Sequence, residues 1–280
     1  EQKYVKEAFD TNWVVPLGPN VNGFEDDLKA FVSKNSDGSE LSREVVALSA
    51  GTAAVHLGLL ASGVGPGDEV CVQSFTFCAS SHPITYLGAT PVFIDSEPDS
   101  WNMDPELLEK AIIDRKEKTG KYPKAIVPVA LYGMPYDCDK IMAISEKYGI
   151  PVVEDAAEGC GSRWKGQVLG TFGKFGVLSF NGNKMITTSG GGALICQDAE
   201  SKNNVMWYAT QARDAYPYYQ HTAIGYNYRM SNVCAGIGRG QMTVLEDHIA
   251  HHKHVQELYK ELLKDVEGVT LHEAPNADYD

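Results

Sequence analysis

The chain has 280 residues, 43% of them hydrophobic, enough to bury one large core or a large domain with a small one, and this excludes a disordered chain. A formal net charge of -13 argues against a nucleic-acid surface, because following a phosphate backbone takes Lys and Arg concentrated on one face. No apolar run approaches a membrane span, and the opening EQKYVKEAFD is charged and amphipathic with no signal core.

Short β-rich runs alternate with helical patterns through the first two thirds of the chain, which predicts an α/β fold with a mostly parallel central sheet flanked by helices. In chain order the strands are EVVALS, DEVCVQS, TPVFID, KAIVPVAL, IPVVED, FGVLSF and GGALIC. Helices follow most of them. GTAAVHLGLLASG starts after a Gly-Thr turn, DPELLEKAIIDRKEKTG carries Asp104 as an N-cap and a terminal glycine, and DCDKIMAISEKYG repeats that grammar. After Met230 the spacing predicts one long helical segment, from SNVCAG to KDVEG, bridging toward a second domain of which the chain holds only the start. The six cysteines form no CxxC pair and mostly sit in apolar runs, which predicts reduced thiols and a cytoplasmic setting.

Four stretches carry candidate chemistry. In VVEDAAEGCG, Glu154 and Asp155 close an apolar strand, at the carboxyl end where open α/β sheets bind ligands. The ordinary reading makes Asp155 a helix cap with Glu158 three residues on. In SAGTAAVH, residues Ala50, Gly51 and Thr52 lead from strand to helix, so free N–H groups and the helix dipole suit a phosphate. Lys184, five residues beyond Ser179, precedes the glycines of SGGGALI, whereas a P-loop places its glycines first. It reads either as a lysine snorkelling to solvent or as one whose neutral amine attacks a carbonyl carbon. Phe75 and Phe77 alternate after a strand and should face one side, with core packing expected for one of them.

One ligand would need all four. Pyridoxal phosphate requires a lysine for its aldehyde, a carboxylate for its ring nitrogen, a phosphate cup at a helix N-terminus and a flat aromatic cover. His248 and His252 lie one helical turn apart but lack a glutamate or carboxylate partner, so no metal site is expected.

Five blocks, SAGTAAVHLGLLASGVGPGDEV, SFTFCASSHPITYLGATPVFID, YGIPVVEDAAEGCGS, LGTFGKFGVLSFNGNKMITTSGGG and GYNYRMSNVCAGIG, occur in the order found in the DegT-type nucleotide-sugar aminotransferases. The chain resembles this branch of the pyridoxal phosphate enzymes of fold type I from residue 11 to residue 232. By that resemblance Lys184 would form the internal aldimine and move the proton, and Asp155 would partner the ring nitrogen. Phe77 would cover the ring, while Ala50, Gly51, Thr52 and Ser179 would form the phosphate cup. Glu158 matches a position beside the cofactor's ring oxygen, and Asn227 one that reaches the phosphate of a neighbouring subunit's cofactor.

The resemblance further implies transfer of an amino group from L-glutamate to a nucleotide sugar by a homodimer with shared sites. It is closest to the UDP-N-acetylbacillosamine transaminases, which aminate UDP-4-keto-6-deoxy-N-acetylglucosamine. Residues 1–245 would form the large cofactor-binding domain, with residues 1–17 packing near a small C-terminal domain that starts at residues 246–280 and is mostly missing from this chain. Within the family a sugar dehydratase is the alternative, and outside it a cofactor-binding regulator without catalysis. Lysine at position 184 favours transamination over dehydration, and nothing resembling a helix-turn-helix or basic arm supports a DNA-binding regulator.

Overall fold

The computed structural model describes residues 1–280. Seven short strands fall where the β-rich runs predict them: β1 (Glu44–Leu48), β2 (Glu69–Gln73), β3 (Thr90–Ile94), β4 (Ala125–Val127), β5 (Val153–Asp155), then β8 (Phe175–Ser179) and β9 (Gly192–Cys196) after a two-residue-stranded hairpin, β6 (Arg163–Trp164) and β7 (Gln167–Val168). Most of them are buried along nearly their whole length because helices cover both faces of the sheet.

The strands pair as β3-β2-β4 and β5-β8-β9-β1. Parallel bridges from Ile126 to Val152 and from Val129 to Asp155 join the two groups. Every neighbouring pair is parallel except those of β9, which runs antiparallel to both β8 and β1. The carboxyl ends of β1, β4, β5 and β8 and the amino end of β9 therefore share one edge.

Helix α1 (Gln2–Asp10) precedes α2 (Pro19–Val32), and α3 (Gly51–Ala61) follows β1 directly. Next come α4 (His82–Tyr86), α5 (Pro105–Thr119), α6 (Cys138–Tyr148) and α7 (Ala199–Ala209). The cap grammar is realised: Asp104 accepts from the N–H groups of Glu106 and Leu107, Asp137 from Lys140 and Asp198 from Ser201. Gly120 and Gly149 end their helices in the left-handed conformation. Apolar residues of α3 and α7 fill the core on one face of the sheet, and those of α2, α5 and α6 fill the other.

Beyond Met230 the expected single long helix is two: α8 (Asn232–Met242) and α9 (Leu245–Leu263). The ladder breaks where the Thr243 hydroxyl takes the Gly240 carbonyl (2.7 Å) and the Val244 N–H reaches only as far as Gln241 O (3.1 Å). Leu245 then turns into the core. Helix α8 carries glycines at positions 236, 238 and 240, so α1 and α2 approach its backbone closely, and α1 accordingly lies against a helix inside residues 1–245. At the other end of the chain, Asp280 exchanges backbone hydrogen bonds with Arg163, and the Tyr279 ring meets Trp164 edge-on at 4.7 Å. Of the cysteines, Cys71, Cys138, Cys160 and Cys196 are buried, Cys234 is half-buried, Cys78 is exposed, and all are free thiols. No helix is long and apolar enough to cross a membrane.

Asn232 ties the start of α8 to the segment that enters α2. Its buried side chain accepts from the N–H groups of Asn20 (2.9 Å) and Val21 (3.2 Å) at the start of α2 and donates to Trp13 O (3.0 Å). Asn232→Ala leaves these backbone groups unpartnered in a dry site and is expected to cost about 2–4 kcal/mol in denaturant unfolding. Asn232→Asp, which keeps the accepting oxygen, should lose less.

Candidate active site

The turn from β1 into α3 is the first wall of the site. Ala50 is extended at the N-cap and no side chain caps the helix, so the first N–H groups of α3 are left for a ligand. Two close approaches hold this turn. A Cβ on Gly51 would lie 2.9 Å from the Ser179 Cβ, and one on Gly192 would lie 2.5 Å from the Ala50 carbonyl carbon. Gly192, the last of the glycines after Lys184, is thus needed because the start of β9 passes directly under the β1–α3 turn.

Lys184 sits in the loop of the β8–β9 hairpin. The Phe180 N–H donates to Gly191 O (2.9 Å) and the Thr188 N–H to Phe180 O (3.0 Å), which closes the base of the loop. The Lys184 N–H donates to Asn181 O (3.0 Å), forming a turn that aims its side chain back over the sheet edge.

Asp155 and Glu154, adjacent on β5, point to opposite sides. Glu154 is fully buried away from the cavity, where it accepts the N–H groups of Gly170, Phe172 and Gly173 and holds the loop leading to β8. Asp155 faces the cavity. Its Oδ2 accepts from the Ser80 hydroxyl (2.6 Å) and its Oδ1 from the Ala157 N–H (3.2 Å). No helix follows β5, so the capping reading of Asp155 and Glu158 does not hold. Burial pushes the Asp155 carboxyl above its ordinary value, against the Ser80 and Ala157 hydrogen bonds and the Lys184 charge, which favour the anion.

Glu158 reaches back into the same space. Its Oε1 lies 3.1 Å from Lys184 Nζ and its Oε2 accepts from the Tyr132 N–H at 2.7 Å. Phe77 stands largely exposed at the rim. Phe75 is exposed as well, beside Trp101 and Tyr132, and does not line the cavity. The core role expected for one of the two fails because β2 ends at Gln73 and a bend and helical turn replace its alternation.

These groups enclose one cavity of ≈ 270 Å³, to which Ala50, Gly51, Thr52, Phe77, Asp155, Glu158, Ser179 and Lys184 all contribute. Asn227 is the exception: it lies exposed on a segment bridged to Thr210, outside the cavity. Sequence reasoning missed Ser80, Asn181 and Asn183, which also line it. Ser80 stood inside the quoted SFTFCASS block, but no periodicity distinguishes a serine that will meet a carboxylate 75 residues away.

Residues 1–279 match the profile of the DegT/DnrJ/EryC1/StrS aminotransferase family. The chain belongs to that family. EpsN of Bacillus subtilis, assigned as a pyridoxal phosphate-dependent aminotransferase, is 46% identical over 96% of this chain and 67% of its own length. GDP-perosamine synthase of Escherichia coli O157:H7 is 37% identical over 93% of this chain and 67% of its own. Among solved structures, a DegT DnrJ EryC1 StrS aminotransferase from Brucella abortus superposes with a TM-score of 0.90 at 32% identity, covering 99% of this chain and 71% of that one. The chain therefore spans about two thirds of the length of such relatives.

The family's cofactor, pyridoxal phosphate, fits the donor set on this cavity's own chemistry. Asp155 is a buried carboxyl that faces the cavity with no cation in direct contact, a place a protonated ring nitrogen would suit. The uncapped α3 turn and Ser179 offer donors to a phosphate, Lys184 an amine to an aldehyde, and Phe77 a flat face.

Without cofactor, Asp155 is a liability to the fold. Its native carboxyl titrates above the unfolded 3.8, so the native state binds this proton more tightly. The group's contribution is most favourable below 3.8 and falls as pH rises through the folded value. Asp155→Asn should raise the melting temperature of the cofactor-free protein at pH 7, by the equivalent of about 1 kcal/mol, with the gain shrinking toward pH 4. The same variant should bind pyridoxal phosphate at least about tenfold more weakly by titration.

Proposed function

We propose that the protein is a pyridoxal phosphate-dependent aminotransferase that moves an amino group from L-glutamate to a 4-keto-6-deoxy nucleotide sugar, UDP-4-keto-6-deoxy-N-acetylglucosamine being the substrate the sequence resembles most closely. The observation that carries this reading is the convergence of Lys184, Asp155 and the uncapped α3 turn on one cavity.

Bound there, pyridoxal phosphate supplies an electron sink for cleavage of a C–H bond next to nitrogen. The chain's residues do the rest. Lys184 Nζ would hold the cofactor through its aldehyde and, when free, would move a proton at the substrate α-carbon. Asp155, fixed by Ser80 and the Ala157 N–H, would partner the ring nitrogen and keep it protonated. Gly51, Thr52 and Ser179 hold the phosphate, and Phe77 covers one face of the ring. Amination of the keto sugar uses the same groups in the reverse order.

A homodimer with shared sites is part of the proposal. Asn227 is exposed and does not line the cavity of its own chain, which leaves it free to serve the cavity of a second copy. Arg229 anchors this segment, donating from Nη1 to Glu25 Oε1 (2.7 Å) and to Ala47 O (2.8 Å) on β1. The reading also takes residues 1–245 as the cofactor-binding domain, with α9 opening a small C-terminal domain, and a cytoplasmic setting for the free thiols.

Lys184→Ala is expected to lower 2-oxoglutarate formation from glutamate and keto sugar by about a thousandfold or more, and to remove the visible absorbance of the bound cofactor while circular dichroism stays unchanged. Normal turnover in that variant would sink the assignment. Mixing Lys184→Ala with Asn227→Ala subunits, each nearly inactive alone, should restore part of the activity through hybrid dimers; no recovery after verified subunit exchange would count against shared sites.

A further inference from the structure

The ionisable side chains lining the cavity are two carboxylates, Asp155 and Glu158, and one amine, Lys184. Their partners divide them. Both Asp155 oxygens are engaged, by Ser80 and by the Ala157 N–H. Glu158 instead spends one oxygen on the backbone and the other on the Lys184 ammonium. The backbone side of that grip is built at some cost. Tyr132, whose N–H donates to Glu158, holds a left-handed backbone (φ 53°) that a tyrosine rarely adopts, and Gly133 follows at φ 86°. A Cβ on Gly133 would lie 3.2 Å from Glu158 O, so this turn is wrapped against the Glu158 backbone as well as its carboxylate. Lys184 and Glu158 are both largely covered, with side chains 16% and 27% exposed, so solvent screens the pair only partly.

We infer that Glu158 is a positioning residue that latches Lys184 in the cofactor-free protein, parking the lysine as an ion pair that must open before cofactor is captured. The inference rests on the aminotransferase reading above. Attack on an aldehyde requires a lone pair on Nζ, and in the ion pair that electron pair holds a proton. That proton first leaves to water or buffer. Nζ then bonds to the aldehyde carbon, its two remaining protons depart with the aldehyde oxygen as water, and a C=N bond is left. Because the Tyr132 N–H holds the carboxylate, Glu158 stays in place when the lysine leaves it for the cofactor. Each time substrate displaces Lys184 from the cofactor, the same carboxylate can receive it, which keeps the amine beside the site.

The test follows capture itself and needs no turnover. Cofactor-free protein is mixed with pyridoxal phosphate, quenched with borohydride at timed intervals, and the pyridoxyl group on the Lys184 peptide is counted by mass spectrometry, with Lys184→Ala as the blank. Glu158→Gln keeps an oxygen for the Tyr132 N–H but removes the charge, and should capture cofactor about 3- to 10-fold faster than the wild-type chain at pH 7. Glu158→Asp, which keeps the charge but shortens the reach to Nζ, should fall between the wild type and Glu158→Gln. Equal or slower capture by Glu158→Gln, with the wild type labelled normally, overturns the latch and leaves the aminotransferase reading standing. Absence of label on Lys184 in the wild type overturns both. If Glu158→Gln does not fold, Glu158→Ala reads the same rate with the same two outcomes.

Discussion

The site depends on one strand running the wrong way. In an otherwise parallel sheet, each strand delivers its carboxyl end to the ligand edge and its amino end to the opposite one. Because β9 is antiparallel to β8, the connection between them is a hairpin, and its loop returns to the ligand edge with Lys184 at its turn. The same reversal sets the first residue of β9, Gly192, beneath the β1–α3 turn, where a side chain would strike the backbone. A lysine followed by glycines is therefore a consequence of topology: the lysine occupies the loop, and the glycines let the returning strand pass.

Charge is the second constraint, and it trades stability for use. Asp155 is buried with hydrogen bonds that favour its anion and no cation in direct contact. Burial nevertheless dominates and raises its titration, a cost to the fold that a cationic ligand in the cavity would offset. Glu154, one residue earlier, is buried as deeply, and three backbone N–H groups satisfy it as a structural brace. Strand alternation alone sends one carboxylate of the pair to the cavity and the other into the structural brace.

How much was legible in the residues depended on whether the signal was local. The strands, the Asp104 and Asp137 caps and the glycine stops could be read because propensity and capping act within a turn or two. The break after Met242 could not, since it depends on Thr243 turning its hydroxyl onto a carbonyl and on Leu245 finding the core. Phe75 and Phe77 misled for a similar reason: alternation predicts a face only while the strand lasts, and β2 ends before them. Ser80 and Asn232 gave no local sign at all, because their partners are far away in the chain.

The sequence by itself determined the fold class, the order of elements and the residue types gathered for the chemistry, together with the family to which the chain belongs. Apolar periodicity and short-range hydrogen bonding write these into neighbouring residues. Only the tertiary structure decided that Asp155 is no cap, that Phe75 stands apart from Phe77, that Asn227 lies off its own cavity, and that Glu158 holds Lys184. The first two follow from where packing ends a strand or lets no helix start, and the last two from distances between segments far apart in the chain, neither of which apolar periodicity encodes.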